Sequence, residues 1–260
     1  MGTLKQQAAV RVEELYKIYG APLLQEDPVW YVHQYKDPHD QEIVGFLSAL
    51  LAFGQVKSIH ASVKKVLDIL SPSPYKTLCS FDPQRVRDHS FVGHRWVRKE
   101  DIFLLFSVLR KILEKHGSLK NLFLKGYSSQ EIHIEKALNH FVGYFLQGNE
   151  VALLRRGFRF LLSSPVDGSP CKRLNMFLRW MVRPTDGIDL GLWPEVSPAK
   201  LIIPLDTHIH QFAKKYRLSC HKNPSWKLAC DVTRFLKTID PKDPVKYDFP
   251  ICHYGMKVGW

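Results

Sequence analysis

Cysteine is scarce in this chain: five residues of 260 (Cys79, Cys171, Cys220, Cys230, Cys252), odd in number, scattered, and without a C-x-x-C pair. That pattern excludes a zinc ribbon and a thioredoxin-like redox pair. Reduced thiols in a cytoplasm are the expectation, not a disulfide framework. Long apolar runs are missing too. The longest, Ile43–Phe53, contains Gly45 and Ser48 and is too short to cross a bilayer. Residues 1–15 are polar and charged, unlike a secretory leader. Alternating strand patterns, internal repeats and low-complexity segments are almost absent, which argues against an all-β or solenoid fold. Acidic residues are also short: 25 against 37 basic ones, a net charge of +12 and a pI near 9.5. Such an excess suits a polyanionic partner, nucleic acid or an acidic membrane surface.

What is present is helical periodicity. Apolar residues recur at i, i+3, i+4 and i+7 through 4–19, 38–53, 56–70, 99–116, 130–146, 153–162 and 172–182, and again in 207–218, 225–239 and 244–254. Asp27-Pro28 and Asp37-Pro38 read as helix starts and Gly117 as a helix end. Pro250 is expected to kink or shorten the last helix. Residues 75–98 read as irregular or short-helical, and 163–171 (S-S-P-V-D-G-S-P-C) as a tight connection between two helices. The expected fold is therefore all-α, with ten or more helices.

One basic stretch stands out. Lys172 opens a helix after a Gly-containing turn, and 34 positions later Asp206 caps another. A lysine amine attacks only when deprotonated, so a nucleophilic lysine needs burial or a neighbouring cation. A carboxylate beside it accepts the amine proton and stabilises positive charge developing on a sugar, and a helix start favours negative charge. Asp206, His208 and His210 also suggest a metal-dependent hydrolase, but residues two apart on a helix point about 200° from each other, so that reading needs an extended segment.

Three segments resemble the helix-hairpin-helix DNA glycosylase superfamily, the class of endonuclease III and the 8-oxoguanine glycosylases. I-P-L-D-T-H-I-H-Q-F-A-K at 203–214 is similar to its V-D-T-H segment, G-S-P-C-K at 168–172 to its G-x-G-x-K hairpin, and L-A-F-G-Q-V-K-S at 51–58 to its L-S-A-Q-x-T-D segment. K-R-L-N-M-F-L-R-W-M-V-R and D-P-V-K-Y-D-F look like a bacterial family near the archaeal 8-oxoguanine branch, a likeness covering most of 40–256. The resemblance implies two interlocked helical lobes with the active cleft between them: 38–183 as a helical barrel lobe ending in the hairpin, and 1–37 plus 184–260 as the second. It implies a DNA repair glycosylase with abasic-site lyase activity, in which Lys172 forms a Schiff base and Asp206 assists. Gln55, Phe53, Trp30, Trp180, Trp193 and Asp248 would contact the extruded, oxidised base. Gly168, Arg173, Lys214 and Lys215 would hold phosphates, joined by Arg95 and Arg98. The expected partner is double-stranded DNA carrying a damaged base, bound by a cytoplasmic, nucleoid-associated monomer without a membrane. Pro170 departs from the family's second hairpin glycine and removes one N–H donor. Only Cys220, Cys230 and Cys252 lie near the C-terminus, at the wrong spacing for the superfamily's iron–sulfur cluster, so no cofactor or metal is expected. A helix-hairpin-helix protein that holds DNA without cutting it is the alternative.

Overall fold

A computed structural model describes residues 2–20, 27–82, 91, 93–147 and 154–260. The protein is predominantly helical. Among the described residues the α-helices are α1 (Thr3–Tyr19), α2 (Pro38–Leu51), α3 (Val56–Ile69), α4 (Pro74–Cys79), α5 (Lys99–His116) and α6 (Leu119–Gly126). They continue as α7 (Glu135–Leu146), α8 (Arg156–Leu161), α9 (Lys172–Val182), α10 (Thr207–Lys215), α11 (Trp226–Leu236) and α12 (Asp248–Lys257). Short 3-10 turns lie at Pro28–Gln34, Pro165–Asp167, Pro198–Lys200 and Pro244–Tyr247. Two strands, β1 (Gly93–His94) and β2 (Val97–Arg98), pair antiparallel.

The chain divides into two compact units: 1–23, 131–134 and 164–260, and 24–130 with 135–163. These boundaries differ from the expected break at 37/38 and 183/184. Residues 164–171 and α9 belong with the C-terminal part, and α9 is tied to the loop that follows it. Leu190 N–H donates to the Trp180 carbonyl and Trp193 N–H to that of Met181, both at 2.8 Å.

In the second unit α2 is the central helix, buried along nearly its whole length. Phe46 packs edge-on against Phe141 and tilted against Phe145. Its two buried carboxylates cap other elements. Glu42 accepts from the N–H groups of Leu119 (2.7 Å) and Lys120 (3.0 Å) at the start of α6, and Asp40 accepts from Tyr75 N–H (2.8 Å) in α4. Charge at a helix N-terminus answers the unpaired amides there. Gly117 ends α5 with φ +77°, a left-handed conformation that glycine adopts without penalty.

In the first unit α1 lies against α12, with Tyr16 edge-on to Tyr247 and the Arg11 guanidinium 4.6 Å above Tyr254. Two expectations need correction here. Helix α7 starts at Glu135, not 130, because Ile134 N–H bonds the Lys200 carbonyl (3.2 Å) and the Lys200 ammonium donates to the Glu131 carbonyl (2.7 Å). Those bonds hold 131–134 out of the helix. The last helix starts at Asp248, not 244, after a 3-10 turn at Pro244–Tyr247, and Pro250 sits in its first turn, where a missing N–H has no intrahelical role.

Candidate active site

The turn before α9 is built from strained and bonded backbone. Ser164 starts the 3-10 turn, whose Gly168 lies at φ +73°, donates to the Pro165 carbonyl (2.8 Å) and accepts from Trp226 N–H (3.0 Å). Proline fixes its own φ near −65°, so the second left-handed residue falls on Cys171, at φ +49°. Cys171 N–H donates to Ser169 Oγ (3.2 Å), and the Asn175 amide donates to the Pro170 carbonyl (3.0 Å). Pro170 thus costs a donor without leaving the turn unsupported. Lys172 is the first residue of α9, half-buried, and every following residue of the helix is buried.

Asp206 caps α10, its Oδ1 accepting Ile209 N–H at 2.8 Å. From α12 come Asp248 and Cys252, one helical turn apart. The Cys252 thiol donates to Asp248 Oδ1 at 3.6 Å, and the Asp206 carboxylate also bears on it. Burial, then the charges of Asp206 and Asp248, raise this thiol well above its ordinary pKa, while Lys172 opposes the rise. Burial likewise lifts Asp248 to about 6, with Arg179 and Lys172 pulling down and Asp206 pushing up. Lys172 and Asp206 thus both bear on buried Asp248 and half-buried Cys252, within one unit.

A buried ion network stands behind this cluster. Arg179, 2 % exposed, donates to Asp248 (2.7 Å) and Asp189 (3.3 Å). Arg183 bonds Asp189 and, at 2.9 Å, Asp243. Buried carboxylates at this density need such partners, since an unpaired charge would be strongly penalised.

The other predicted site residues divide. Gln55 is exposed at the start of α3, Phe53 is half-buried in an aromatic cluster, and Trp30 is half-buried edge-on to Tyr31; all three lie in the second unit. Trp180 and Trp193 are each 1 % exposed, with Trp193 packed on Phe177, so neither has an open face for a base and both are core. Arg173 is also buried, which does not suit a phosphate contact. Gly168, Lys214 and Lys215 are exposed, as are Arg95 and Arg98. The three residues of the metal-hydrolase reading do not converge: 207–215 is helical, and His210 Nε2 meets the Lys222 carbonyl at 2.9 Å. The metal-capable group among the described residues is elsewhere, at Cys220, His221 and Asp231. There Asp231 already accepts from Ser219 (2.6 Å) and Arg234 (2.7 Å).

Sequence reasoning passed over Cys252 and the Arg179–Asp189–Arg183 network. The signals were present: Asp248 and Cys252, and Arg179 and Arg183, are i,i+4 pairs, which share a helix face. A family model described as "Protein of unknown function (DUF2400)" matches residues 27–257. No curated protein and no solved structure matches the chain.

Proposed function

We propose that this chain, which belongs to the DUF2400 family, is a DNA repair glycosylase with abasic-site lyase activity, acting through Lys172 and Asp206. The observation that carries the reading is the shared cluster: an amine and a carboxylate, 34 residues apart in sequence, both bear on the buried Asp248 and the half-buried Cys252. The net charge of +12 and the resemblance of 51–58, 168–172 and 203–214 to helix-hairpin-helix glycosylases support the same choice.

In this scheme a damaged, oxidised base is turned out of double-stranded DNA, which exposes C1′ of its sugar. Asp206 takes a proton from the Lys172 ammonium, which frees the amine. The amine attacks C1′, the glycosidic bond breaks, and the base leaves with the bonding electrons and takes the proton that Asp206 held, so that the restored carboxylate faces the positive charge at the sugar. Ring opening gives an iminium between Lys172 and the sugar, loss of a C2′ proton follows, and the 3′ phosphate is eliminated. Cys252 donates to Asp248 and needs no ionisation to do so. Gln55, Phe53 and Trp30 remain the base-contact candidates, and Gly168, Lys214 and Lys215 the phosphate contacts. The protein would act as a monomer in the cytoplasm, associated with the nucleoid.

The test is a panel of duplexes, each with one damaged base or one abasic site, scored for released base and for strand nicking. Release of an oxidised base with nicking is the expected result. Binding to every duplex without release or nicking would instead leave a non-catalytic DNA-holding protein.

A further inference from the structure

Residues 93–98 form a hairpin whose two-residue tip is Arg95-Trp96. Arg95 holds φ +55°, a conformation hairpin tips usually give to glycine. Trp96 is 50 % exposed, and the Arg95 guanidinium lies 4.6 Å over its ring. Behind the tip, Phe53 sits 5.3 Å from Trp96 at a tilt of 33°, and Phe160 braces both rings edge-on at 4.9 and 5.0 Å. His94, pointing inward, bonds Ser62 Oγ (2.9 Å) and the Phe53 carbonyl (2.8 Å), which pins the Gly54–Gln55 loop to the hairpin. A Cβ on Gly54 would come 3.0 Å from the Arg95 guanidinium, so the arginine lies directly across that glycine. Arg98, Arg156 and Arg159 are also exposed on β2 and the neighbouring α8.

We propose that this hairpin is a stacking platform for an unpaired base of a nucleic-acid strand. A guanidinium plane and a half-open indole, backed by two phenylalanines, offer flat π surfaces that accept any base, while the surrounding arginines meet phosphates. A cationic guest such as a methylated lysine is disfavoured, because Arg95 already brings a positive charge to the indole. The platform lies in the unit that lacks Lys172 and Asp206, and it does not depend on their chemistry: a strand-binding protein without catalysis would carry it equally.

The experiment measures fluorescence anisotropy of a labelled thymidine fifteen-mer and of the matched duplex with the full-length protein. Trp96→Ala should weaken single-strand binding by about tenfold, the loss of one stacked base. Trp96→Phe should stay within about threefold, because a ring face remains. Arg95→Ala should reduce the salt dependence by the release of roughly one counterion. Lys172→Gln should bind the strand like the native protein even where it abolishes base excision, which separates this surface from the catalytic proposal. Unchanged strand affinity in Trp96→Ala, with circular dichroism showing a native fold, would overturn the platform. So would a loss confined to vesicles of equal phosphatidylserine and phosphatidylcholine, which would assign the hairpin to a membrane surface.

Discussion

Arg179→Met perturbs the support beneath the candidate site. Arg179 is buried between Asp189 and Asp248, which are 0 % and 9 % exposed as side chains. Methionine fills most of the same volume but leaves both carboxylates without this cation. Breaking a buried pair by removing one partner costs about 3–5 kcal/mol, a fall in melting temperature of roughly 10 °C for a chain of this size. The pH dependence is more diagnostic. Asp248 already has a folded-state pKa raised to about 6 by burial. A carboxyl with a raised pKa destabilises the fold above that pKa, and the penalty is relieved as pH falls through it. In the native protein that relief begins near pH 6. Without Arg179 the pKa rises further, so relief begins above neutrality. Between about pH 7.5 and 5 the variant therefore gains over as much as ~1.5 more pH units than the native chain, or up to about 2 kcal/mol at ~1.4 kcal/mol per unit. Thermal and urea unfolding at the two pH values, followed by circular dichroism, measure this. A deficit below about 1 kcal/mol near pH 7.5, or one equal at both pH values, would refute the reasoning.

Cys252→Ala removes the thiol donor to Asp248, and borohydride capture on oxidised duplex should slow by about tenfold, the worth of one hydrogen bond to a charged group. Cys252→Ser should retain most of the native rate because it keeps a donor. Gly157→Ala would drive a methyl into the Asp101 carboxylate, which caps α5 by accepting Arg98 N–H at 2.8 Å. A loss of about 2–3 kcal/mol in unfolding free energy is expected, from overpacking at a rigid contact. A thiol reagent near neutral pH should label Cys220 first, since it is exposed, while Cys171 and Cys252 stay unreactive until the protein unfolds; peptide mapping reads the order.

Helices with strong periodicity and definite ends were legible in the sequence. Both α5 and α9 lie within the expected bounds, and Gly117 takes the left-handed cap its position suggested. The strand pair at 93–98 was not legible, because two residues per strand are too few to alternate. The start of α7 was hidden for a different reason: its would-be first turn is held by backbone bonds to Lys200, distant in sequence. In the candidate site, Lys172 and Asp206 each stand at a helix start, where the sequence put them. Residues named for their side-chain type alone fared worse. Arg173, Trp180 and Trp193 looked like ligand contacts but point into the core, since α9 is buried around nearly its whole circumference and one-face reasoning does not apply to it. Buried arginines paired to aspartates read the same way in sequence as basic residues meant for phosphate.

The most direct test of the central claim is covalent capture with borohydride on duplex carrying an oxidised base or an abasic site, followed by peptide mapping of the adduct. The prediction is a single cross-linked peptide joined through Lys172, absent in Lys172→Gln while that variant still binds the duplex. An adduct on a different lysine, or capture undiminished in Lys172→Gln, would contradict it.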